Sequence, residues 1–151
     1  MDLPPHLLTL IAKSLSCGHR GVYKSMIFLD VVGVEWHELA GILAKSESTR
    51  PRLVLCAVEL GMVRVLEWLL EWSAKNNCVM DKTTKNLAWK ATYNGNLAVL
   101  QFLVKHGFAW DSRECAKQAM TQKCNYQKSN NYKDTAETKK RKALCEWIKK
   151  F

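Results

Sequence analysis

The chain has 151 residues, of which 48% are apolar, so it has enough apolar side chains to form the core of one compact unit or two small ones. No apolar run reaches the roughly 18 residues of a transmembrane helix, and the start MDLPPH lacks the basic region of a secretory signal, so we expect neither. The net charge of +9 is concentrated at positions 112–151, where eleven basic and four acidic residues favour an acidic partner surface, nucleic acid or a targeting signal.

The six cysteines form no CxxC pair, so the sequence predicts neither a zinc ribbon nor a disulfide framework. Cys56, Cys115 and Cys145 fall within helical patterns, where a cysteine usually acts as a small buried hydrophobe. Cys17 and His19 are close enough to share a metal ion, but no second pair of ligands accompanies them. We therefore expect no metal, no other cofactor and a reducing compartment.

Positions 1–45 predict a first helical segment. Pro4 suits a helix start, where the missing N–H group would form no helical hydrogen bond. Leu7, Leu8 and Ile11 follow at helical spacing and form one apolar face. A polar linker, SESTRP, separates this segment from the rest of the chain.

After the linker, one segment occurs twice at an offset of 34 residues. Its copies are Leu53–Trp72 (LVLCAVELGMVRVLEWLLEW) and Leu87–Gly107 (LAWKATYNGNLAVLQFLVKHG). The matched positions are Ala57, Gly61, Val65, Leu66 and Leu69 in the first copy and Ala91, Gly95, Val99, Leu100 and Leu103 in the second. A fixed offset of this size is typical of stacked helical repeats.

Each copy predicts two short helices joined by a turn at the matched glycine. The predicted helices are 52–60, 63–74, a stretch that ends at Tyr93, and 97–105. Thr83 or Thr84 is the expected N-terminal cap of the third of these helices. Trp68 and Trp72 lie four residues apart, so we expect them to stack along one helix side.

A third copy begins but is interrupted. Residues 115–119 and 143–148 resemble the first and second helices of the preceding copy, with Ala143 aligned to Val99. Between them lies 122–138, a polar stretch that we predict to be a mobile insertion. Trp110 either packs between repeats, which we favour, or anchors an interface.

These positions resemble the ankyrin repeat, which has an Ala in its first helix, a Gly at the turn, and a Val-Leu pair and a Leu in its second helix. The stretch GNLAVLQFLVKHGFAWD is close to divergent ankyrin arrays of protists and giant viruses, although the usual TPLH opening is absent. The resemblance implies an all-α solenoid of about three degenerate repeats over 51–151. Loop tips and first helices would bind partners, and the candidate contact residues are Asn76, Asn77, Lys82, Lys85, Lys90 and Arg113.

The N-terminal segment resembles an F-box. It opens on Leu3-Pro4 and closes on Val32, Trp36 and Leu39, but His6 replaces the usual acidic residue and the middle is longer than usual. F-boxes bind the Skp-type adaptor of cullin ubiquitin ligases, and the resemblance implies that the adaptor-binding residues are Leu3, Pro4, Leu7, Leu8 and Ile11. The alternative is that these helices only cap the open end of the repeats.

Catalytic motifs are missing from the sequence. We find no GxxxxGK[ST], GxGxxG, HExxH or GxSxG pattern, and the four histidines have no partner at a motif spacing, so we predict no enzyme and no catalytic residue. The basic cluster, Lys139, Lys140, Arg141 and Lys142, is a localisation signal, a phosphate-contacting patch or a solvated helix face.

We therefore predict a non-catalytic protein–protein interaction module, and in sharper form a substrate receptor that links a protein target to a Skp/cullin ubiquitin ligase. The alternatives are a small basic structural or nucleic-acid-associated protein of a viral particle, which would use the basic C-terminal face, and a self-associating module. The expected location is the cytoplasm or nucleus, of a host cell if the protein is viral, without a membrane partner.

Overall fold

A computed structural model describes residues 49–129 and 135–151, together with positions 41, 44, 45 and 47. Its helices are α1 (Arg50–Leu60), α2 (Val63–Lys75), α3 (Asn86–Tyr93), α4 (Leu97–Lys105), α5 (Ser112–Ser129) and α6 (Ala136–Ile148). All elements in this part of the chain are helices, so the predicted all-α class is confirmed there.

Of the predicted F-box-like segment at 1–45, residues 1–40, 42 and 43 lie outside the described residues. Its predicted adaptor-binding residues are Leu3, Pro4, Leu7, Leu8 and Ile11, and the pair Cys17 and His19 also falls there. The chain divides into two compact units, Met1–Ala57 and Val58–Phe151. The second unit contains the helices α2 to α6.

Two matched turns join the helices of successive pairs. Gly61 lies between α1 and α2 with φ +73°, and Gly95 lies between α3 and α4 with φ +72°. A left-handed backbone is favourable only for glycine, which explains why these positions match in the repeat. At the second turn the amides of Gly95 and Asn96 donate to the carbonyls of Thr92 and Ala91 over 3.1 and 2.9 Å. These bonds occupy carbonyls that the end of a helix leaves unpaired.

The helices of this unit form two layers. In one layer the first helices α3 and α5 pack together, and in the other α2, α4 and α6 follow one another, while α3 pairs with α4 and α5 with α6. Much of the core lies along the second helices, each of which contributes three buried apolar side chains. These are Val65, Leu66 and Leu69 in α2, Val99, Leu100 and Leu103 in α4, and Leu144, Cys145 and Ile148 in α6. The matched apolar positions of the first two copies are therefore buried, whereas Leu70, which the helical spacing also predicts to point inward, is only half-buried.

The third copy is shifted by one residue from the predicted alignment. The buried triplet places Leu144 where Val99 stands and Ile148 where Leu103 stands, rather than Ala143 at Val99. Arg141 then occupies the position of Asn96. The prediction was wrong because Ala-Leu-Cys offers two apolar pairs, and only burial decides which one corresponds to Val-Leu.

The polar insertion predicted at 122–138 is partly helical. Residues Gln122–Ser129 continue α5 and α6 begins at Ala136, with Thr135 as its cap, since the amide of Thr138 donates to the Thr135 hydroxyl over 3.2 Å. The polar stretch contains no Gly or Pro to stop a helix. The described part of the insertion is therefore an extension of the last helix pair.

The loops that precede α3 and α5 lie side by side. The amide of Ala109 donates to the Lys82 carbonyl over 2.7 Å, and Lys82 Nζ donates to the His106 carbonyl over 2.8 Å. Lys82 Nζ also lies 5.4 Å from the centre of the Phe108 ring. We call residues 76–85 and 106–111 the loop edge, and the turns at Gly61 and Gly95, at the other ends of the helices, the turn edge.

Candidate functional site

Two aromatic side chains are exposed on the first helix α3. Trp89 and Tyr93 lie one turn apart and stack with ring centres 5.4 Å apart and planes inclined by 18°. Trp89 is 37% exposed and Tyr93 is 45% exposed. Neither residue is among the contacts predicted from the sequence, although their spacing of four residues on a first helix is the signal that indicates such a pair.

A small cavity of about 210 Å³ lies beside Trp89, where α3 meets the start of α5. Lys85 Nζ lies 3.3 Å from Asp111 Oδ2 across it. The Asp111 carboxylate also accepts the amides of Arg113 and Glu114, each over 3.1 Å. The Glu114 amide and then Lys85 lower the pKa of Asp111. We call Lys85, Trp89, Tyr93, Asp111 and Glu114 the Trp89 face.

The predicted contact residues divide into three groups. Lys85 and Arg113 are exposed on either side of Asp111 and lie at or beside the Trp89 face. Lys82 is half-buried and bound to the loop edge, and Lys90 is half-buried with Nζ 3.1 Å from Glu59 Oε1, so both contribute to the fold.

The other two predicted contacts, Asn76 and Asn77, are exposed at the end of α2. The amide nitrogen Nδ2 of Asn76 donates to the Trp72 carbonyl over 2.8 Å, so this side chain caps the helix. Asn77 has φ +52°, a left-handed backbone that asparagine tolerates better than most residues. Both asparagines therefore have a local role in ending α2.

The prediction that Thr83 or Thr84 caps α3 is wrong. The helix begins at Asn86, its cap position is Lys85, and no side chain caps it. Thr83 instead donates its hydroxyl and its amide to Asp81 Oδ1, over 2.6 and 2.9 Å. These two bonds lower the pKa of Asp81. Thr83 therefore forms a local turn with Asp81 and does not cap the helix.

The basic cluster predicted at 139–142 is not one continuous patch. Lys139, Lys140 and Lys142 are exposed, but Arg141 is only 6% exposed. Arg141 falls one turn before Leu144 and Cys145 and so shares their buried side of α6. A run of basic letters could not show this, because burial depends on the helical phase of each residue.

Arg141 links three helices. Its Nη1 donates to the Tyr93 carbonyl at the end of α3 over 3.0 Å, and its guanidinium carbon lies 4.5 Å from the centre of the Tyr126 ring of α5. Its Nε lies 3.0 Å from Glu137 Oε1 within α6, at ion-pair distance but outside hydrogen-bond geometry. We regard the pair as electrostatic, because proximity of opposite charges needs no precise angle.

A polar cleft opens at the turn edge. Its volume is about 550 Å³, and it is lined by Asn94, Asn96, Gln122, Tyr126, Lys140 and Arg141, among others. The carboxylates of Glu59 and Glu137 also line it, each within ion-pair distance of a cation, Lys90 and Arg141 respectively. We call this site the turn-edge cleft.

Trp110 is half-buried and packs against aromatic rings of its own helix pair, so its packing between repeats stays a prediction. Its ring centre lies 5.9 Å from that of Trp147 and 5.2 Å from that of Phe151, and the last two rings lie 4.8 Å apart. Trp68 and Trp72 stack at 6.2 Å, as predicted. These aromatic contacts stabilise the fold.

The three cysteines predicted to be buried hydrophobes are buried within helices, at positions 56, 115 and 145. Burial raises the pKa of the Cys115 and Cys145 thiols, because the apolar surroundings disfavour the thiolate. Among the described residues, no three side chains of His, Cys, Asp or Glu are grouped to hold a metal ion.

No described helix is both long and apolar enough to cross a membrane. Comparisons with protein-family models, with curated proteins and with solved structures gave no match to this chain. The geometry of the described residues and the sequence resemblances are therefore the basis for inferring a function.

Proposed function

We propose that the chain is a non-catalytic protein-recognition module built from ankyrin-like repeats. The exposed Trp89–Tyr93 stack on a first helix is the observation that carries this proposal. Stacked aromatic rings present a large apolar surface that loses little conformational entropy on binding. The matched glycine turns and the two helix layers support the ankyrin-like part of the proposal.

The surroundings of the stack also suit a protein partner. Lys85 and Asp111 border it at the loop edge, and Lys90 of the same helix pairs with Glu59 of α1. A partner would thus meet an apolar centre with a polar border, which is the usual composition of a protein interface.

In its sharper form the module is a receptor for a ubiquitin ligase. The F-box-like residues Leu3, Pro4, Leu7, Leu8 and Ile11 would dock a Skp-type adaptor. The Trp89 face would select the protein target, in the cytoplasm or nucleus. The two contacts use different parts of the chain and are separable by substitution.

Calorimetric titration of the purified full chain with a Skp-type adaptor tests this form. We expect binding by the wild type, loss of binding in Leu7→Asp/Leu8→Asp, and unchanged binding in Trp89→Ala/Tyr93→Ala, with circular dichroism to verify folding. Adaptor docking through apolar side chains should depend little on salt. Absence of binding by the folded wild type would reduce the proposal to a recognition module without a ligase.

A second function, association with nucleic acid, is favoured by the lysines of the last helix. Lys139, Lys140 and Lys142 are exposed on α6, and Lys149 and Lys150 are exposed directly after it. Binding to phosphates would weaken steeply with salt, since it releases counterions from the nucleic acid. Salt dependence therefore separates the two functions.

A further inference from the structure

The extended last helix pair creates the turn-edge cleft. In the repeat alignment Thr121 of α5 corresponds to Tyr93, the last residue of α3, so Gln122–Ser129 extends past the turn edge by about 12 Å. The first residues of α6, Ala136–Lys140, lie on the same extension, because Arg141 occupies the position of Asn96. The two extensions overhang the turn at Gly95.

An exposed aromatic ring lies under this overhang. Tyr126 is 37% exposed and lines the cleft. The guanidinium carbon of Arg141 lies 4.5 Å from its ring centre, and Arg141 is itself fixed by its bond to the Tyr93 carbonyl. The ring is thus supported on one face by a held cation, and its exposed surface is a platform on which a planar group can stack.

Amide side chains and a lysine surround the ring. Asn94, Asn96 and Gln122 are half-buried in the cleft lining, and each carries both donors and an acceptor. Lys140 is exposed at the same cleft, and no carboxylate of the described residues lies within ion-pair distance of it. The cleft carboxylates are balanced by Lys90 and Arg141, as described above.

We propose that the turn-edge cleft binds single-stranded nucleic acid. One base stacks on Tyr126, the amides of Asn94, Asn96 and Gln122 bind its edge, and Lys140 contacts a phosphate. A base within a duplex has no free face for stacking, whereas an unpaired base exposes both its face and its edge. The inference deepens the nucleic-acid function, on which it rests, by naming the ligand and the site.

An acidic peptide is the less suitable ligand. It would use Lys140 and the neighbouring lysines, but a peptide of Asp and Glu has no aromatic ring to stack on Tyr126 and no nucleobase edge for the three amides. The positive charge of the cleft explains neither the Tyr126 ring nor the three amide side chains. The aromatic ring and the amide groups therefore favour a nucleobase, and the lysines favour the phosphates that accompany it.

Fluorescence anisotropy with a labelled single-stranded oligonucleotide of about 12 residues tests the proposal, a length within the known site sizes of such proteins. We expect Tyr126→Ala to weaken binding by about 5- to 150-fold, the range for loss of one stacked base. The control is Phe151→Ala, because Phe151 is an exposed aromatic residue that packs against Trp110 at the loop edge and does not line the cleft. That control should bind as tightly as the wild type.

A second pair of variants tests the phosphate contact. Lys140→Gln and Lys105→Gln remove the same charge from exposed positions, but only Lys140 lines the cleft. We expect Lys140→Gln to reduce the dependence of log affinity on log salt by about 0.7, the value for one phosphate of a single strand. Lys105→Gln should leave that dependence unchanged.

Competition with unlabelled ligands completes the test. The single strand should compete far better than a duplex of the same sequence, than heparin or than polyglutamate. Equal affinity of the Tyr126→Ala and Phe151→Ala variants, or equal competition by the duplex or polyglutamate, would overturn the cleft as the site and leave only charge-driven binding. Absence of binding to any nucleic acid would overturn the underlying function as well.

Discussion

Arg141 is a charged residue that is almost fully buried, and its neighbours explain why the fold tolerates it there. The Tyr93 carbonyl is one of the groups that the end of α3 leaves unpaired, and Arg141 donates to it over 3.0 Å. Glu137, one turn earlier, supplies the opposite charge, and Tyr126 covers the guanidinium. The side chain thus holds the last helix pair to the preceding one.

Arg141→Met should lower the free energy of unfolding by about 2 kcal/mol, because it leaves a carbonyl and a carboxylate without their cation. Lys142→Met, the exposed neighbour, should change it by less than about 0.5 kcal/mol. Urea denaturation followed by circular dichroism measures both. Equal stability of the two variants would show that Arg141 does not join the helices.

The glycines at two helix ends predict an order of stability. Gly107 has φ +76° with open space around it, whereas an added Cβ at Gly95, with φ +72°, would lie 3.3 Å from Arg141 Cγ. Gly107→Ala should therefore cost about 1 kcal/mol from backbone strain alone. Gly95→Ala should cost more, since strain and crowding add. Thermal unfolding of the two variants measures the order, and the reverse order would contradict the described packing at Gly95.

The buried thiols predict a loss of stability at high pH. Because burial raises the pKa of Cys115 and Cys145, the unfolded chain loses these protons first, near the ordinary thiol pKa of about 8.5. Above that pH the unfolded state binds fewer protons, so the free energy of unfolding falls as pH rises. Urea denaturation at about pH 7 and pH 9.5 measures the change.

The matched variants for this titration are alanine substitutions. Cys115→Ala/Cys145→Ala should have a flatter dependence of stability on pH than the wild type. A double variant that keeps the full wild-type slope would exclude the two thiols as its cause.

At the scale of elements, the length of α5 distinguishes the last helix pair from the one before it. The helix α3 spans Asn86–Tyr93, while α5 spans Ser112–Ser129 and carries Tyr126 beyond the turn edge. The additional turns are polar and bury little apolar surface. Their contribution is therefore to the turn-edge cleft rather than to the core.

Asn125→Pro should end α5 early, because proline lacks the N–H and clashes with the preceding turn, a cost of about 3 kcal/mol in a helix interior. Hydrogen exchange should then show loss of protection after residue 122, with the core of α4 unaffected. Asn125→Ala should preserve or raise that protection. Equal exchange in the two variants would mean that this stretch is not helical in solution.

Periodicity predicted the first two helix pairs well, for a physical reason. The apolar side chains of each second helix are buried on one side, so they recur at helical spacing in the sequence, as Val65, Leu66 and Leu69 do. The turn glycines were predictable because only glycine tolerates the left-handed backbone there. By contrast, the extension of α5 has no apolar stripe, so its polar composition predicts an insertion rather than a helix.

The sites were less predictable than the helices. Of the predicted contacts, Lys82 and Lys90 make intramolecular bonds whose partners, His106 and Glu59, lie far away in sequence. The exposure of Trp89 and the burial of Arg141 depend on which side of each helix meets its neighbours. Both properties come from packing between repeats, and they cannot be predicted from the spacing of residues within one repeat.

At the scale of the second unit, the proposed function follows from the arrangement of its layers. The second helices contribute most of the buried side chains of this unit, while the first helix α3 keeps Trp89 and Tyr93 exposed. The Trp89 face lies on the first helices, and its residue Tyr93 also lines the turn-edge cleft. Protein recognition and nucleic-acid binding would then use adjacent surfaces that meet at Tyr93.

Photo-crosslinking from the Trp89 face tests the central claim, recognition of a protein by this surface, most directly. A benzophenone amino acid at position 89 should give one discrete protein adduct in cell extract, and the same probe at Gln101, exposed on the second helix α4, should not. Excess wild-type chain should abolish the adduct, whereas excess Trp89→Ala/Tyr93→Ala should not. The same adducts at both positions, or equal competition by both chains, would contradict recognition through the Trp89 face.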